Sequence, residues 1–260
     1  DPVVLIGWPG IALVGQLAIE SIKDSLDAQP FLRMESFDFP PKAKVEEGKL
    51  EIPTASLYYK SREKNDFFIL TGNFQPQSSE GVYGFSEGLC SELERLLGRG
   101  CIKMYLSTGA LVSDEINDPP NVHVCGTDED LVDSFLEFDN TIIMDGGVVA
   151  GANGILPAWA GYKGYAPGIC LLAETTPMPM MNVDPRASKA VVGILMDYFD
   201  IDMTYEELDK KIEEMEDLFD SLKQQADNLM KRPSRRSGSS PAGSWPRRRR
   251  WRAPGWPRSR

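Results

Sequence analysis

The sequence predicts an α/β fold: a mixed, mostly parallel sheet with helices on both faces, followed by a C-terminal amphipathic helix. Three observations predict it. Short apolar runs alternate with helix-length amphipathic stretches, which is the pattern of crossover units around a sheet. Glycine-rich turns follow several of the runs, and a long stripe of apolar residues closes the patterned part of the chain at Met230.

Strands are predicted at residues 3–6, 31–37, 54–59, 67–70, 102–107, 122–125, 141–144 and 168–173. The polar connection 60–66 suits a β-hairpin, which makes the sheet mixed rather than purely parallel. Helices are predicted at 11–26, 80–97, 129–136, 155–160, 186–198 and 205–229. The last opens on a capping-box pair, Thr204 and Glu207. Its stripe is Leu208, Ile212, Met215, Phe219, Leu222, Ala226 and Leu229, at alternating four and three spacings. Such a stripe packs on its own domain or at an oligomer interface. The chain thus divides into an α/β domain (1–203), the C-terminal helix (204–230) and a tail (231–260).

Charge sets the tail apart. Eleven of the 28 basic residues lie after Met230, where there is no Asp or Glu, so 17 basic residues face 39 acidic ones in the body. An acidic body repels nucleic acid and anionic membranes and attracts basic protein surfaces. The tail has the composition of a disordered segment. Its arginines, interleaved with Trp245, Trp251 and Trp256, suit single-stranded nucleic acid by charge and stacking. The alternative is an out-of-frame or vector-derived ending.

The four cysteines, Cys90, Cys101, Cys125 and Cys170, form no Cys-x-x-Cys pair and sit in apolar or strand-like surroundings, as reduced thiols of a cytoplasmic protein do. No apolar run approaches the roughly 18–20 residues that span a bilayer. The chain opens on Asp1-Pro2-Val3 rather than on Met or a signal peptide, so removal of an N-terminal extension is expected.

Three glycine-rich turns are candidate loop or ligand surfaces, because small residues let backbone N–H groups converge at a helix N-terminus. The first carries Gly7, Trp8, Pro9 and Gly10 and continues to Gly15; it lacks both the dinucleotide and the P-loop glycine spacing. The second carries Asn73, Gln75 and Pro76, placed at the carboxyl end of the sheet where α/β folds hold ligands. The third carries Gly151, Asn153 and Gly154. Turn geometry alone is the alternative for each. Glu174, at a strand end beside Thr175 and Thr176, is a candidate ligand contact, and Asp184 before Pro185 a helix N-cap. His123, the only histidine, sits in an alternating strand and is expected to face solvent; it leaves one possible base for nucleophilic catalysis. No catalytic residue, metal site or cofactor is assigned, and the acidic run around Met215 reads as a solvated helix face.

In order, Gly7-Trp8-Pro9-Gly10-Ile11-Ala12-Leu13-Val14-Gly15, Gly72-Asn73-Phe74-Gln75-Pro76, Gly151-Ala152-Asn153-Gly154-Ile155-Leu156, Gly168-Ile169-Cys170-Leu171-Leu172-Ala173-Glu174-Thr175 and Val183-Asp184-Pro185-Arg186-Ala187 resemble the proteasome assembly chaperone 2 family, especially its archaeal members. The resemblance spans nearly all of residues 2–230. It implies a three-layer α/β/α sandwich like that of nucleoside phosphorylases. It also implies a homo-oligomer and ATP-independent chaperoning of proteasome assembly through binding of proteasome α subunits, without catalysis. Family members that engage the proteasome typically end in a hydrophobic-Tyr-any tripeptide, whereas this chain ends Pro257-Arg258-Ser259-Arg260. The competing reading is a small-molecule protein or enzyme of nucleoside phosphorylase-like fold, with Asn73, Gln75, Asn153 and Glu174 lining a nucleoside- or phosphate-sized pocket.

Overall fold

The computed structural model describes residues 1–176 and 183–230, with the side chains of Phe219 and 222–230 left out. The basic tail expected after Met230 lies outside the described residues. In the first strand, β1 (Val3–Gly7), every residue is buried, as in a strand covered on both faces. The other strands are β2 (Gln29–Met34), β3 (Lys44–Glu46), β4 (Lys49–Glu51), β5 (Ala55–Lys60), β6 (Phe67–Gly72), β7 (Met104–Val112), β8 (Val122–Gly126), β9 (Thr141–Ile143) and β10 (Gly168–Thr175). Eight of them form one sheet in the order β2-β5-β6-β1-β7-β10-β8-β9, with β3 and β4 as a separate hairpin. The core strands β6, β1, β7 and β10 are parallel, and β5 joins β6 antiparallel through the predicted hairpin.

Among the described residues there are six α-helices, α1 (Val14–Ser25), α2 (Ser79–Leu97), α3 (Glu129–Phe135), α4 (Gly151–Lys163), α5 (Pro185–Phe199) and α6 (Glu206–Met230), and a short 3-10 turn at Ile11–Leu13. Strand alternation sorts the core into two halves. Val3 and Leu5 meet Val14, Ile19, Val191 and Leu195 of α1 and α5. Val4 and Ile6 meet Leu89, Leu93, Leu156 and Ala160 of α2 and α4. Each such side chain contributes about 1.5–3 kcal/mol on burial. The α/β/α layering predicted from the sequence is therefore present. The chain divides into two units, Asp1–Asp217 and Leu218–Arg260. Of the C-terminal stripe, Leu208 and Met215 are buried and Ile212 half-buried, with the acidic residues 213, 214, 216 and 217 exposed on either side of Met215. Phe219, Leu222 and Leu229 lie outside the described side chains.

The predicted elements need four corrections, three of them to boundaries. β2 starts at Gln29 and stops at Met34, with Pro30 inside it and a register shift between Pro30 and Leu32. β7 runs on to Val112 because Gly109 and Ala110 pair with Leu172 and Ala173 of β10. The hairpin β3–β4 is absent from the predicted elements: each strand is only three residues long, too short for its single apolar residue, Val45 or Leu50, to set a pattern. Its two-residue turn, Glu47-Gly48, has φ of +48° and +78°, as the common tight hairpin turn requires.

The fourth correction concerns α4, predicted at 155–160 but starting at Gly151. Its glycines mark contact rather than a loop, since a Cβ on Gly154 would lie 2.1 Å from the Val149 carbonyl oxygen. Pro157 sits inside the helix. Having no N–H, it deprives the Asn153 carbonyl of its intrahelical donor. The Cys170 thiol of β10 supplies one instead, at 3.6 Å.

α2 and α4 are joined through Glu87, which accepts from Trp159 Nε1 at 2.8 Å and from the Tyr165 hydroxyl at 2.9 Å. These two bonds hold the Glu87 carboxyl below its ordinary value of 4.5. Burial and the bond to Glu87 push the Tyr165 hydroxyl up to about 12. A depressed carboxyl stabilises the fold fully above its unfolded value and loses that contribution as pH falls through its folded value. The gap in urea midpoint between the parent and Glu87→Gln is therefore expected to be constant from neutral pH to about 5 and to shrink below about 4. A gap unchanged at acid pH would show that the carboxylate charge contributes nothing there.

Candidate functional site

The three glycine-rich turns meet at the carboxyl end of the parallel core. Gln75, three residues past β6, reaches both of the others: its amide nitrogen donates to the Pro9 carbonyl and its oxygen accepts the Ala152 N–H at 2.8 Å, in the first turn of α4. The Trp8 N–H donates to Asn153 Oδ1 at 3.4 Å, across 145 residues of sequence. Gly151 has a φ of +72°, and a Cβ there would stand 2.6 Å from Gln75 Oε1, so glycine is required on both counts. Gly10 needs no such freedom; its nearest neighbour, Asn153 Nδ2, would be an ordinary 3.6 Å away.

The first turn itself is tight. Ala12 and Leu13 have φ of +47° and +49°, a conformation that costs non-glycine residues of order 1 kcal/mol or more each. It is tied down from α5, because the Asp184 N–H donates to the Ala12 carbonyl. Asp184 caps α5 as predicted, accepting the N–H groups of Arg186 and Ala187 at 3.1 and 3.2 Å.

Trp8, expected on the loop surface, is fully buried. Its ring packs edge-on against Phe85, with centroids 5.3 Å apart, and tilted against Phe39 at 6.4 Å. Pro76 is also buried, while Asn73 is exposed beside the cluster. The cluster is thus a latch: both polar atoms of Gln75 are spent on Pro9 and Ala152, and the side-chain oxygen of Asn153 on Trp8.

His123 corrects the sequence reading, and Glu174 is the residue it meets. Glu174, expected as a ligand contact, is only 7% exposed. His123, expected to face solvent, points its Nε2 at Glu174 Oε1, 3.1 Å away, and its side chain is 16% exposed. The antiparallel register explains this. His123 stands opposite Leu172, two residues from Glu174 along β10, so the two side chains share one face of the sheet. Glu174 Oε2 is buried without a hydrogen-bond partner among the described residues.

A cleft of about 1120 Å³ opens elsewhere, lined among others by Asn117, Asp139, Asp184, Arg186, Lys189 and Tyr205. Lys189 binds Asp209 and lies over the Tyr205 ring at 4.7 Å. Of these lining residues only Asp184 and Arg186 fall in a sequence motif, because the rest come from separate elements. Among the described residues there is no group of three or more His, Cys, Asp or Glu placed to hold a metal ion, and no helix is long and apolar enough to cross a membrane.

A three-layer α/β/α domain whose glycine turns latch at the carboxyl end of the sheet, with 4–223 matching the family model, places this chain in the PAC2 family. It is 30% identical over 193 residues to an uncharacterized protein of Methanocaldococcus jannaschii, covering 74% of this chain and 71% of that one. Among solved structures it is similar to Pyrococcus furiosus PbaB, an archaeal proteasome activator: TM-score 0.76, 25% identity, 86% of this chain and 93% of that one. It also shares its fold with P. furiosus PbaA, an archaeal homolog of proteasome-assembly chaperone: TM-score 0.68, 21% identity, 88% and 90% of the two chains.

Proposed function

We propose that this chain is an ATP-independent chaperone that assists proteasome assembly by binding proteasome α subunits, and that it works as a homo-oligomer in the cytoplasm. The observation that carries this reading is the likeness to the archaeal proteasome activator over 86% of this chain and 93% of that one. Two features of the molecule support a binding role. Tyr162 and Val148 are 81% and 88% exposed, as side chains that meet another protein are. The excess of 39 acidic residues over 28 basic ones favours a basic partner surface. The competing small-molecule reading draws less support, because Gln75 commits both of its polar atoms to the neighbouring turns and Glu174 turns one oxygen to His123.

The test is to mix the chain with archaeal proteasome α subunits and weigh the products by native mass spectrometry. Oligomers of the chain alone and a mixed complex with α subunits are expected. Failure to form a mixed complex, both as it stands and with a hydrophobic-Tyr-any ending added, would overturn the proposal. The basic tail is tested in parallel: if it binds single-stranded nucleic acid, that binding weakens steeply with salt and disappears on truncation after Met230.

A further inference from the structure

Cys125 on β8 and Cys170 on β10 stand directly opposite each other in the antiparallel ladder. Opposed residues in such a ladder have Cα atoms roughly 4.5–5.5 Å apart, inside the roughly 4.4–6.8 Å spanned by disulfide-bonded pairs. As register partners they point to the same face of the sheet. Neither is bridged. In sequence they are too far apart for any spacing motif, and only the register brings them together.

Their surroundings assign them different parts. Cys125 is half-buried and Cys170 buried. Cys170 Sγ accepts from the Ser107 hydroxyl at 3.1 Å and donates to the Asn153 carbonyl at 3.6 Å. Its single proton can turn to either the Asn153 oxygen or the Cys125 sulfur. The Cys170 thiol accordingly lowers the pKa of Cys125, while that contact and burial hold Cys170 well above the ordinary thiol value. A half-buried thiol of lowered pKa beside a fully buried partner is the arrangement of an attacking and a resolving cysteine.

We propose that Cys125 and Cys170 form a reversible intramolecular disulfide by exchange with a small-molecule disulfide. The Cys125 thiolate attacks one sulfur of the small disulfide; a mixed disulfide forms, the small S–S bond breaks, and one thiolate leaves. Cys170 then gives up its proton, its sulfur attacks the Cys125 sulfur, and the second small thiolate departs. Two protein thiols are oxidised and one small disulfide is reduced to two thiols. Cβ atoms in such a ladder sit about 4.5–5.5 Å apart, beyond the roughly 3.5–4.5 Å of a relaxed disulfide, so the bond formed is readily reduced. The remaining cysteines are internal controls. Cys90 is buried, with its thiol pushed up to about 12, and Cys101 is exposed.

The full chain is incubated with oxidised glutathione, quenched by alkylation, and mapped by peptide mass. Cys125 and Cys170 are expected to disappear together, joined as a cross-link, apart from any glutathione adduct on the exposed Cys101, and to return in excess reduced glutathione. Cys170→Ser should stop at a glutathione adduct on Cys125, and Cys125→Ser should leave Cys170 free for alkylation. The unsubstituted chain alone decides the matter should either variant fold poorly. A lasting adduct on Cys125, a cross-link between any other pair, or reaction confined to Cys101 would overturn the proposal.

Discussion

Gly15→Ala is expected to destabilise the domain by at least about 3 kcal/mol and to lower its melting temperature by roughly 6–12 °C. The reason is local and severe. A Cβ on Gly15 would lie 2.1 Å from the Thr108 carbonyl oxygen, a backbone atom of a central strand. The strand is held between β1 and β10 in the middle of the sheet, and the single Thr108 hydroxyl proton is shared between the Ile6 and Gly15 carbonyls, at 3.1 and 3.0 Å. Helix α1 must therefore lift from the sheet, opening the contact of Val14 and Ala18 with the core. The control is Gly84→Ala, at an exposed mid-helix position of α2 with nothing within 4 Å. There the change should stabilise by about 0.5–1 kcal/mol, because alanine is the better helix former. Calorimetry of both variants checks the argument, and a Gly15→Ala melting point within 2 °C of the parent would refute it.

Asp184→Ala is expected to cost about 3 kcal/mol. Losing an N-cap accounts for about 1–2 kcal/mol, and the rest comes from the buried hydroxyl of Thr175, which donates to Asp184 Oδ2 at 2.7 Å and would be left unpaired. Asp184 is itself 2% exposed, so solvent does not replace it. The effect should also reach the first glycine turn through the Asp184–Ala12 backbone bond. Asp184→Asn keeps an acceptor in place and should recover most of the loss. A double-mutant cycle with Thr175→Val separates the two contributions. The pair removed together should cost less than the two single changes added, since no hydroxyl is then orphaned. Strict additivity in urea unfolding would mean that the Thr175 bond carries nothing.

The sequence made the parallel core legible for a physical reason. Strands such as β1 and β10 are buried on both faces and so are written as unbroken apolar runs. The α5 start was equally plain, because Asp184-Pro185 names both its cap and its first turn. What stayed hidden depends on register and distance. Glycines at 151 and 154 read as a loop until the neighbouring Val149 carbonyl shows why they sit in a helix. Alternation on β8 placed His123 on the face away from Val122 and Val124, but could not say that Glu174 waits there. The latch joins Trp8, Gln75 and Asn153, each in a turn that the sequence marked by its glycines, yet no local pattern states that the three turns meet.

The edge strands determine how the sheet can grow. On one side, β2 carries Pro30, which has no N–H to offer, and a shift of register one step later. On the other, β9 is only three residues long. An incoming strand would find an interrupted row of donors on the first edge and almost no length on the second, the devices by which open sheets avoid runaway cross-β stacking. Two copies of this chain are thus discouraged from fusing their sheets end to end, and association is left to side-chain faces, where it can be finite, selective and undone.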